Sequence, residues 1–307
     1  GLYVPGGQAP LFSTVLMLAL PARIAGCKEV ILCTPQNSSG RIAPEILYSA
    51  SLCGVHRIFR VGGAQAIAAM AYGTQSIPRV DKIFGPGNRY VTKAKQLVAD
   101  RVAIDMPAGP SEVLVMADET AHPSFVAADM LSQAEHGPDS QAILVCNTEE
   151  LAQLVKAEVE RQAARLTRAS SVEQSLAHSR IVVLGNRADM IGFANVYAAE
   201  HLIISMAQPW DVAQQITAAG SIFIGNYSPE SAGDYASGTN HTLPTSGYAR
   251  AFSGVNLDSY IRKITYQELT PEGLSALAPT IVAMADAEGL DAHAAAVKVR
   301  VEQLKKG

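Results

Sequence analysis

The chain predicts an α/β protein: two Rossmann-like, incomplete parallel-sheet domains followed by a small C-terminal helical unit. Three observations predict it. Short β-rich apolar runs alternate with longer segments of helical period between residues 29 and 87, the same alternation resumes after residue 110, and from about residue 256 the pattern is mainly helical. Continuous apolar strands separated by helices imply a parallel sheet covered on both faces.

In chain order, GLYVPGG (1–7) reads as a strand entering a glycine turn, and LFSTVLMLAL (11–20) is an apolar run bracketed by Pro10 and Pro21. EVILCTP (29–35), RIFRVGG (57–63) and KIFGPG (82–87) read as strands, separated by the helical patterns RIAPEILYSASLCG (41–54) and AQAIAAMAYG (64–73). The turn residues Ala108-Gly109-Pro110 mark the domain boundary. Beyond it come the strand SEVLVMAD, a helix that begins at Pro123 and runs to His136, and the strand QAILVCN. A long helix near 148–167 follows, then the strands RIVVLGN, HLIIS and SIFIG. Two helical patterns end the chain, TYQELTPEGLSALAPTIVAMADAEGL and DAHAAAVKVRVEQLKK. The expected domains are therefore 1–110, 111–255 and 256–307. With no initiator Met before Gly1, the N-terminus is expected to be incomplete or processed.

Composition narrows the function classes. The 307 residues are 48% hydrophobic and 17% charged, and 24 basic and 28 acidic residues are interspersed to a net charge of -4. There is no basic stripe for a nucleic-acid backbone and no aromatic platform for single strands, so no nucleic-acid partner is expected. The apolar run at 11–20 falls well short of the ~20 residues a membrane span needs, and no membrane partner is expected. A secretory leader pattern is absent. Cys27, Cys33, Cys53 and Cys146 lack CxxC spacing and read as small buried hydrophobes in a reducing, cytoplasmic compartment.

Several stretches carry polar groups suited to chemistry. The turns VGGAQAIAA (61–69) and FGPGNRY (84–90) follow strands, and glycines there let a backbone approach a dinucleotide pyrophosphate; neither is a full GxGxxG, so spacing alone favours plain strand-to-helix turns. In SQAEHGPDSQ (132–141), the i, i+3 spacing puts Gln133 and His136 on one helix face, within reach of a single ion, or leaves them as a solvated helix end. GDYASGTNHTLPT (233–245) crowds small and polar residues around Asp234, Asn240 and His241 with almost nothing to pack, which reads as a ligand or metal loop. YAAEHLIIS (197–205) sets Glu200 beside His201 at a strand start, a pair suited to general base work or to an exposed strand edge. AEGLDAH (287–293) places Glu288 and His293 on a helical hairpin.

Taken together, GLYVPGG, FGPGN, IDMPAGPSEVLV, SQAEHGPDSQ, AEHLIIS and SPESAGDYASGTNH closely resemble, in order and from Gly1 to about residue 303, the histidinol dehydrogenase family. That family is zinc- and NAD-dependent and completes histidine biosynthesis by oxidising L-histidinol through L-histidinal to L-histidine. The resemblance implies one zinc per subunit, held by Gln133, His136, Asp234 and His293, a set of N and O donors that zinc accepts. It implies His201 as the base for the hydroxyl proton and Glu200 as the activator of water. It also implies substrate contacts from Ser111, His241 and Glu288 as well as from Gln133, His136, His201, Asp234 and His293, and NAD contacts from Tyr3, Gln65 and Asn88. The family is a homodimer whose C-terminal tail crosses to the partner, so residues 1–110 become the NAD domain, 111–255 a zinc and substrate domain lacking its N-terminal part, and 256–307 a swapped tail. One departure stands out: Ala198-Ala199 replaces the family's usual residue-Pro before Glu200, which is expected to loosen that loop slightly. Alternatives are a paralogous zinc and NAD dehydrogenase of another small polar alcohol, or an inactive zinc-binding fragment.

Overall fold

The computed structural model describes residues 1–6 and 10–306, so Gly7 of the opening glycine turn lies outside the described residues. The first part is built from β1 (Leu2–Tyr3), α1 (Phe12–Ile24), β2 (Ile31–Thr34), α2 (Pro44–Leu52), β3 (Arg57–Arg60), α3 (Ala64–Tyr72), β4 (Lys82–Ile83), α4 (Arg89–Leu97) and β5 (Ala103–Ile104). β1, β2 and β3 form a parallel sheet in that order, β4 and β5 form a second parallel pair, and a parallel bridge between Leu2 and Phe84 links the two. Side chains alternate across the first sheet. Leu2 and Leu32 pack with Val15, Leu18 and Ile46 on one face, while Tyr3, Ile31 and Cys33 pack with Ile67, Met70 and Val91 on the other. Both faces are covered, which is why these strands carry no polar alternation.

The second part comprises β6 (Glu112–Ala117), α5 (Pro123–Ala134), β7 (Gln141–Cys146), α6 (Glu149–Ala163), α7 (Ala169–His178), β8 (Arg180–Val183), α8 (Arg187–Tyr197), β9 (His201–Ser205), α9 (Pro209–Ala213), β10 (Ser221–Ile224) and α10 (Glu230–Tyr235). Its five strands run parallel in the order β10-β9-β6-β7-β8. Val113, Val115 and Ala117 face α5 and α6, and Leu114 and Met116 face α8 and α9. Local chemistry sets the helix starts. Pro123 opens α5, and the side chains of Thr148 and Asn186 cap α6 and α8 by accepting the Leu151 and Asp189 amides.

Residues Gly1–Ile261 form one compact unit and Arg262–Gly307 another. Both sheets thus share the first unit, and the expected boundary at 110/111 falls between β5 and β6. Residues 256–261 stay with the sheets because Tyr260 stacks on Phe84 at 4.1 Å and donates its hydroxyl to the Leu18 carbonyl at 2.9 Å. The second unit is a hairpin of α11 (Pro271–Ala287) and α12 (Asp291–Leu304), turned at Gly289 with φ 71°. No described helix is long and apolar enough to cross a membrane.

Three expectations are corrected. α5 stops at Ala134, so His136 lies beyond the helix, because Gly137-Pro138 cannot continue it. α6 ends at Ala163 instead of near 167. Cys27 is exposed, whereas Cys33, Cys53 and Cys146 are buried free thiols.

One buried ion pair organises the turn after β4. Lys95 of α4 meets the Asp105 carboxylate with both side chains shut off from solvent, and it also donates to the Gly85 carbonyl at 2.9 Å. Asp105 in turn accepts the Gly85 amide at 2.7 Å. Asp105→Ala is therefore expected to cost about 3–5 kcal/mol in urea unfolding, because the buried Lys95 loses its ion-pair partner. Lys95→Met combined with Asp105→Leu is expected to recover part of that loss.

Candidate active site

His201 is the first residue of β9 and is 2% exposed. Its Nδ1 lies 3.2 Å from the carbonyl oxygen of Glu112, the first residue of β6 in the neighbouring strand. A carbonyl can only accept, so Nδ1 carries the hydrogen and donates it. Burial pushes the imidazole pKa down to about 3, outweighing that hydrogen bond, with His136 and His241 nearby adding to the depression. The ring is neutral, and the hydrogen on Nδ1 leaves Nε2 as a bare lone pair. Nε2 is buried without a hydrogen-bond partner among the described residues and lies 4.0 Å from Asp234 Oδ1. This is a free base facing the Asp234 carboxylate.

Glu200 precedes it. One carboxylate oxygen accepts the Glu112 amide at 2.9 Å and lies 3.6 Å from His201 Nδ1. Burial holds this carboxyl well above the usual carboxylate range, and the acids Glu230, Glu112 and Asp234 add to the rise. The segment before it is held by backbone hydrogen bonds. Ala198 closes α8 in the left-handed region at φ 55°, and the Ala199 and Glu200 carbonyls accept the Gly220 and Ser221 amides, each at 2.9 Å.

Three of the four metal candidates, Gln133, His136 and Asp234, lie together beside His201. Gln133, in the last turn of α5, is wholly buried; its Nε2 lies 3.4 Å from His136 Nδ1, and its Oε1 has no partner among the described residues. His136 reaches the surface on its outer side. Asp234 sits on the short helix α10, so the expected loop is helical at this point. Gly233 packs directly on the Phe223 ring, so the stretch is better packed than its composition suggests. The ligand atoms of His136, Glu230 and Asp234 lie within 4.8 Å of one another. Burial raises Asp234 to about 6, and no lysine or arginine pairs with these acids among the described residues. An orphaned amide oxygen and crowded buried carboxylates are a donor set that fits a divalent cation taking N and O ligands.

His241 is spoken for on both ring nitrogens. Nδ1 donates to the Asp234 carbonyl at 3.1 Å and Nε2 accepts from the Thr14 hydroxyl at 3.2 Å, which ties the loop to α1. Ser111, half-buried, immediately precedes β6. Glu288 and His293 are exposed residues of the α11–α12 hairpin in the second unit, at the C-cap of α11 and in the first turn of α12. Glu112, Ser111, Glu200 and His201 all stand where strands begin. The site therefore occupies the amino edge of the five-stranded sheet, not the carboxyl edge usual for open α/β sheets.

The three NAD candidates obey the usual rule. Tyr3 ends β1, Gln65 lies in the first turn of α3 after β3, and Asn88 caps α4 after β4, all at carboxyl ends of parallel strands. The Tyr3 hydroxyl accepts the Gly63 amide at 3.0 Å. A side chain on Gly85 would collide with the Tyr3 carbonyl, so only glycine lets that turn close on β1. Asn88 Oδ1 accepts the Tyr90 and Val91 amides, each at 3.1 Å, and both Asn88 and Gln65 are exposed. Glycine turns converging on Tyr3 fit a dinucleotide at this edge.

Two residues of the site escaped sequence reasoning. Glu112 supplies the carbonyl and amide that hold His201 and Glu200, and its own carboxylate accepts the Ser246 amide at 2.9 Å. An acid opening an otherwise apolar strand was its signal. Glu230 was signalled by its i, i+4 spacing to Asp234.

Compared with known proteins, residues 1–301 match the family described as histidinol dehydrogenase. The chain is similar to a Bacteroides fragilis (strain YCH46) protein named histidinol dehydrogenase, 64% identical over 100% of this chain and 72% of that one. It is similar to a protein of the same name from Bacteroides thetaiotaomicron, 60% identical over 99% of this chain and 72% of that one. The crystal structure of histidinol dehydrogenase from Elizabethkingia anophelis superposes with a TM-score of 0.97 at 57% identity, covering 99% of this chain and 71% of that one.

Pro21 has a consequence for the site. Lacking an amide hydrogen, it leaves the Met17 carbonyl one turn back without a helical donor, and Asn240 Nδ2 takes that carbonyl at 2.7 Å. Asn240→Ala is expected to destabilise by about 1–3 kcal/mol. In a Pro21→Ala background the restored helical bond recaptures the carbonyl, so the Asn240→Ala loss shrinks by about 0.5–1.5 kcal/mol in a thermal double-mutant cycle; strict additivity would contradict the link.

Proposed function

The chain belongs to the histidinol dehydrogenase family, and from that premise we propose that it oxidises L-histidinol through L-histidinal to L-histidine in two successive NAD-dependent steps. The observation that carries the reading is His201 itself: neutral, anchored through Nδ1 to the Glu112 carbonyl, with Nε2 unpaired beside Asp234. When bound, zinc anchors the substrate's imidazole and amine, and NAD accepts hydride. Gln133, His136 and Asp234 would hold the metal with His293, and Tyr3, Gln65 and Asn88 would hold the dinucleotide.

In the first oxidation His201 Nε2 takes the hydroxyl proton as the carbinol carbon gives up hydride, yielding the aldehyde. In the second, Glu200 removes a proton from the water that adds to the aldehyde carbon, while His201 returns the proton it holds to the aldehyde oxygen, giving the hydrate. His201, neutral again, then takes a hydroxyl proton of the hydrate as hydride leaves to a second NAD, yielding the acid. Burial suits Glu200 to this, since a carboxyl raised above its ordinary range is a stronger base near neutral pH. Ser111, His241 and Glu288 contact the substrate, Glu288 meeting its ammonium group as a carboxylate should. Glu288 and His293 come from the tail of a partner subunit in a homodimer, and the enzyme works in the cytoplasm.

The test is NADH formed per histidinol consumed by dialysed protein with and without added zinc. The expected result is about two NADH per histidinol, dependent on zinc. His201→Asn is expected to lower the rate about 10²–10⁴-fold. One NADH per histidinol would end the two-step account, and no turnover by folded, zinc-loaded protein would end the substrate assignment.

A further inference from the structure

No step of the reaction uses Lys95 or Asp105, yet both side chains are shut away from solvent, at 3% and 0% exposure. A buried ion pair is weak evidence for stability, because well-packed apolar residues of similar volume often hold the same space as well or better. What an apolar pair could not do is bind backbone. Lys95 Nζ donates to the Gly85 carbonyl at 2.9 Å, Asp105 Oδ2 accepts the Gly85 amide at 2.7 Å, and Asp105 Oδ1 accepts the Met106 amide at 2.7 Å. Both backbone polar groups of Gly85 therefore end on one pair of side chains. Gly85 itself is tightly constrained: its φ is 127°, and a side chain there would collide with the Tyr3 carbonyl. Tyr3 in turn donates its amide to the Phe84 carbonyl at 2.7 Å. Two residues on, Gly87 packs so closely on Val91 of α4 that a side chain would strike it, and Asn88 then caps α4 through the Tyr90 and Val91 amides. Lys95 comes from the helix that this turn opens, and Asp105 directly follows the strand paired with β4.

We propose that Lys95 and Asp105 are positioning residues for the dinucleotide: by holding both backbone groups of Gly85 they fix the turn at 84–88 against β1 and α4, so that Asn88 and Tyr3 meet NAD already in register. Neither side chain reaches solvent, so neither touches the cofactor, and their effect passes through the turn. A binding surface built in advance spares the cofactor the cost of ordering a loop of two glycines and a proline. The inference rests on the reading that Tyr3, Gln65 and Asn88 hold NAD. It extends that reading to what keeps two of those residues in place, and it gives the buried charges a task that their contribution to stability does not explain.

The experiment measures the dissociation constant for NADH by its fluorescence, that for histidinol by calorimetry on zinc-loaded protein, and the melting temperature. The variants are Asp105→Asn, Lys95→Met with Asp105→Leu, Gln65→Ala, and Asn88→Ser, which keeps a capping oxygen. Asp105→Asn is expected to weaken NADH binding about 10–100-fold while histidinol binding stays within about twofold, because the turn is released and the other sheet edge is untouched. The double variant is expected to lose NADH to the same degree although its melting temperature moves back toward wild type, since apolar side chains refill the space and leave Gly85 unheld. Should Asp105→Asn not fold, the double variant alone carries the test. NADH affinity that returns together with the melting temperature overturns the proposal, as does equal weakening of NADH and histidinol, which would mark a general loosening. If Gln65→Ala and Asn88→Ser weaken NADH binding while the two pair variants do not, the proposal fails and the underlying reading stands. If Gln65→Ala and Asn88→Ser bind NADH as wild type does, the reading itself fails.

Discussion

The hydrogen bond from His201 Nδ1 to the Glu112 carbonyl is the constraint on which the site depends. It joins the first residues of two neighbouring strands, β9 and β6, and fixes the tautomer of a buried imidazole. Without it the hydrogen could sit on either nitrogen, and the base would face the strand as readily as the pocket. With it, Nε2 is bare and directed toward Asp234. The same Glu112 holds the Glu200 carboxylate through its backbone amide, so one residue positions both acid-base groups. The regularity of the parallel ladder, with Val113 opposite His201 and His201 opposite Ser221, transmits this positioning from the core to the site.

Two sheet edges divide the labour. The glycine turns and Tyr3 lie at carboxyl ends of strands in the first part, where a dinucleotide is expected. The acid-base pair and Gln133, His136 and Asp234 lie at the amino edge of the five-stranded sheet. The loop from Asp234 to Thr245 connects the two parts: Asn240 binds the Met17 carbonyl, His241 accepts from Thr14, and Thr245 accepts the Gly109 amide. Within the first unit these bonds bring the second sheet's site against α1. Pro21 contributes by what it lacks, since a continuous helical ladder would have consumed the Met17 carbonyl.

Much of the fold was legible in sequence because strands buried on both faces read as unbroken apolar runs. HLIIS and SEVLVMAD matched their strands for that reason. Helices α7 and α8 were harder to see, since their polar, solvent-facing residues blur the period. The site was legible in its residue types and not in its geometry. Gln133 and His136 do meet, although α5 ends before His136, because proximity along the chain does not require helix. Glu230 was passed over because a single acid after Pro229 resembles an ordinary helix start; its significance lies in burial, which sequence does not display. The place of His201 at a strand start was legible, but its pairing with the Glu112 carbonyl was not, because strand neighbours are set by the sheet order.

The most direct test of the central constraint is the tautomer of His201, read by long-range ¹H–¹⁵N correlation on protein carrying ¹⁵N-labelled histidine and assigned with His201→Asn. The account predicts a neutral ring at pH 7 with hydrogen on Nδ1 and a bare Nε2. A hydrogen on Nε2, or an imidazolium at that pH, would contradict it, because the nitrogen facing the pocket could then not accept the substrate's proton.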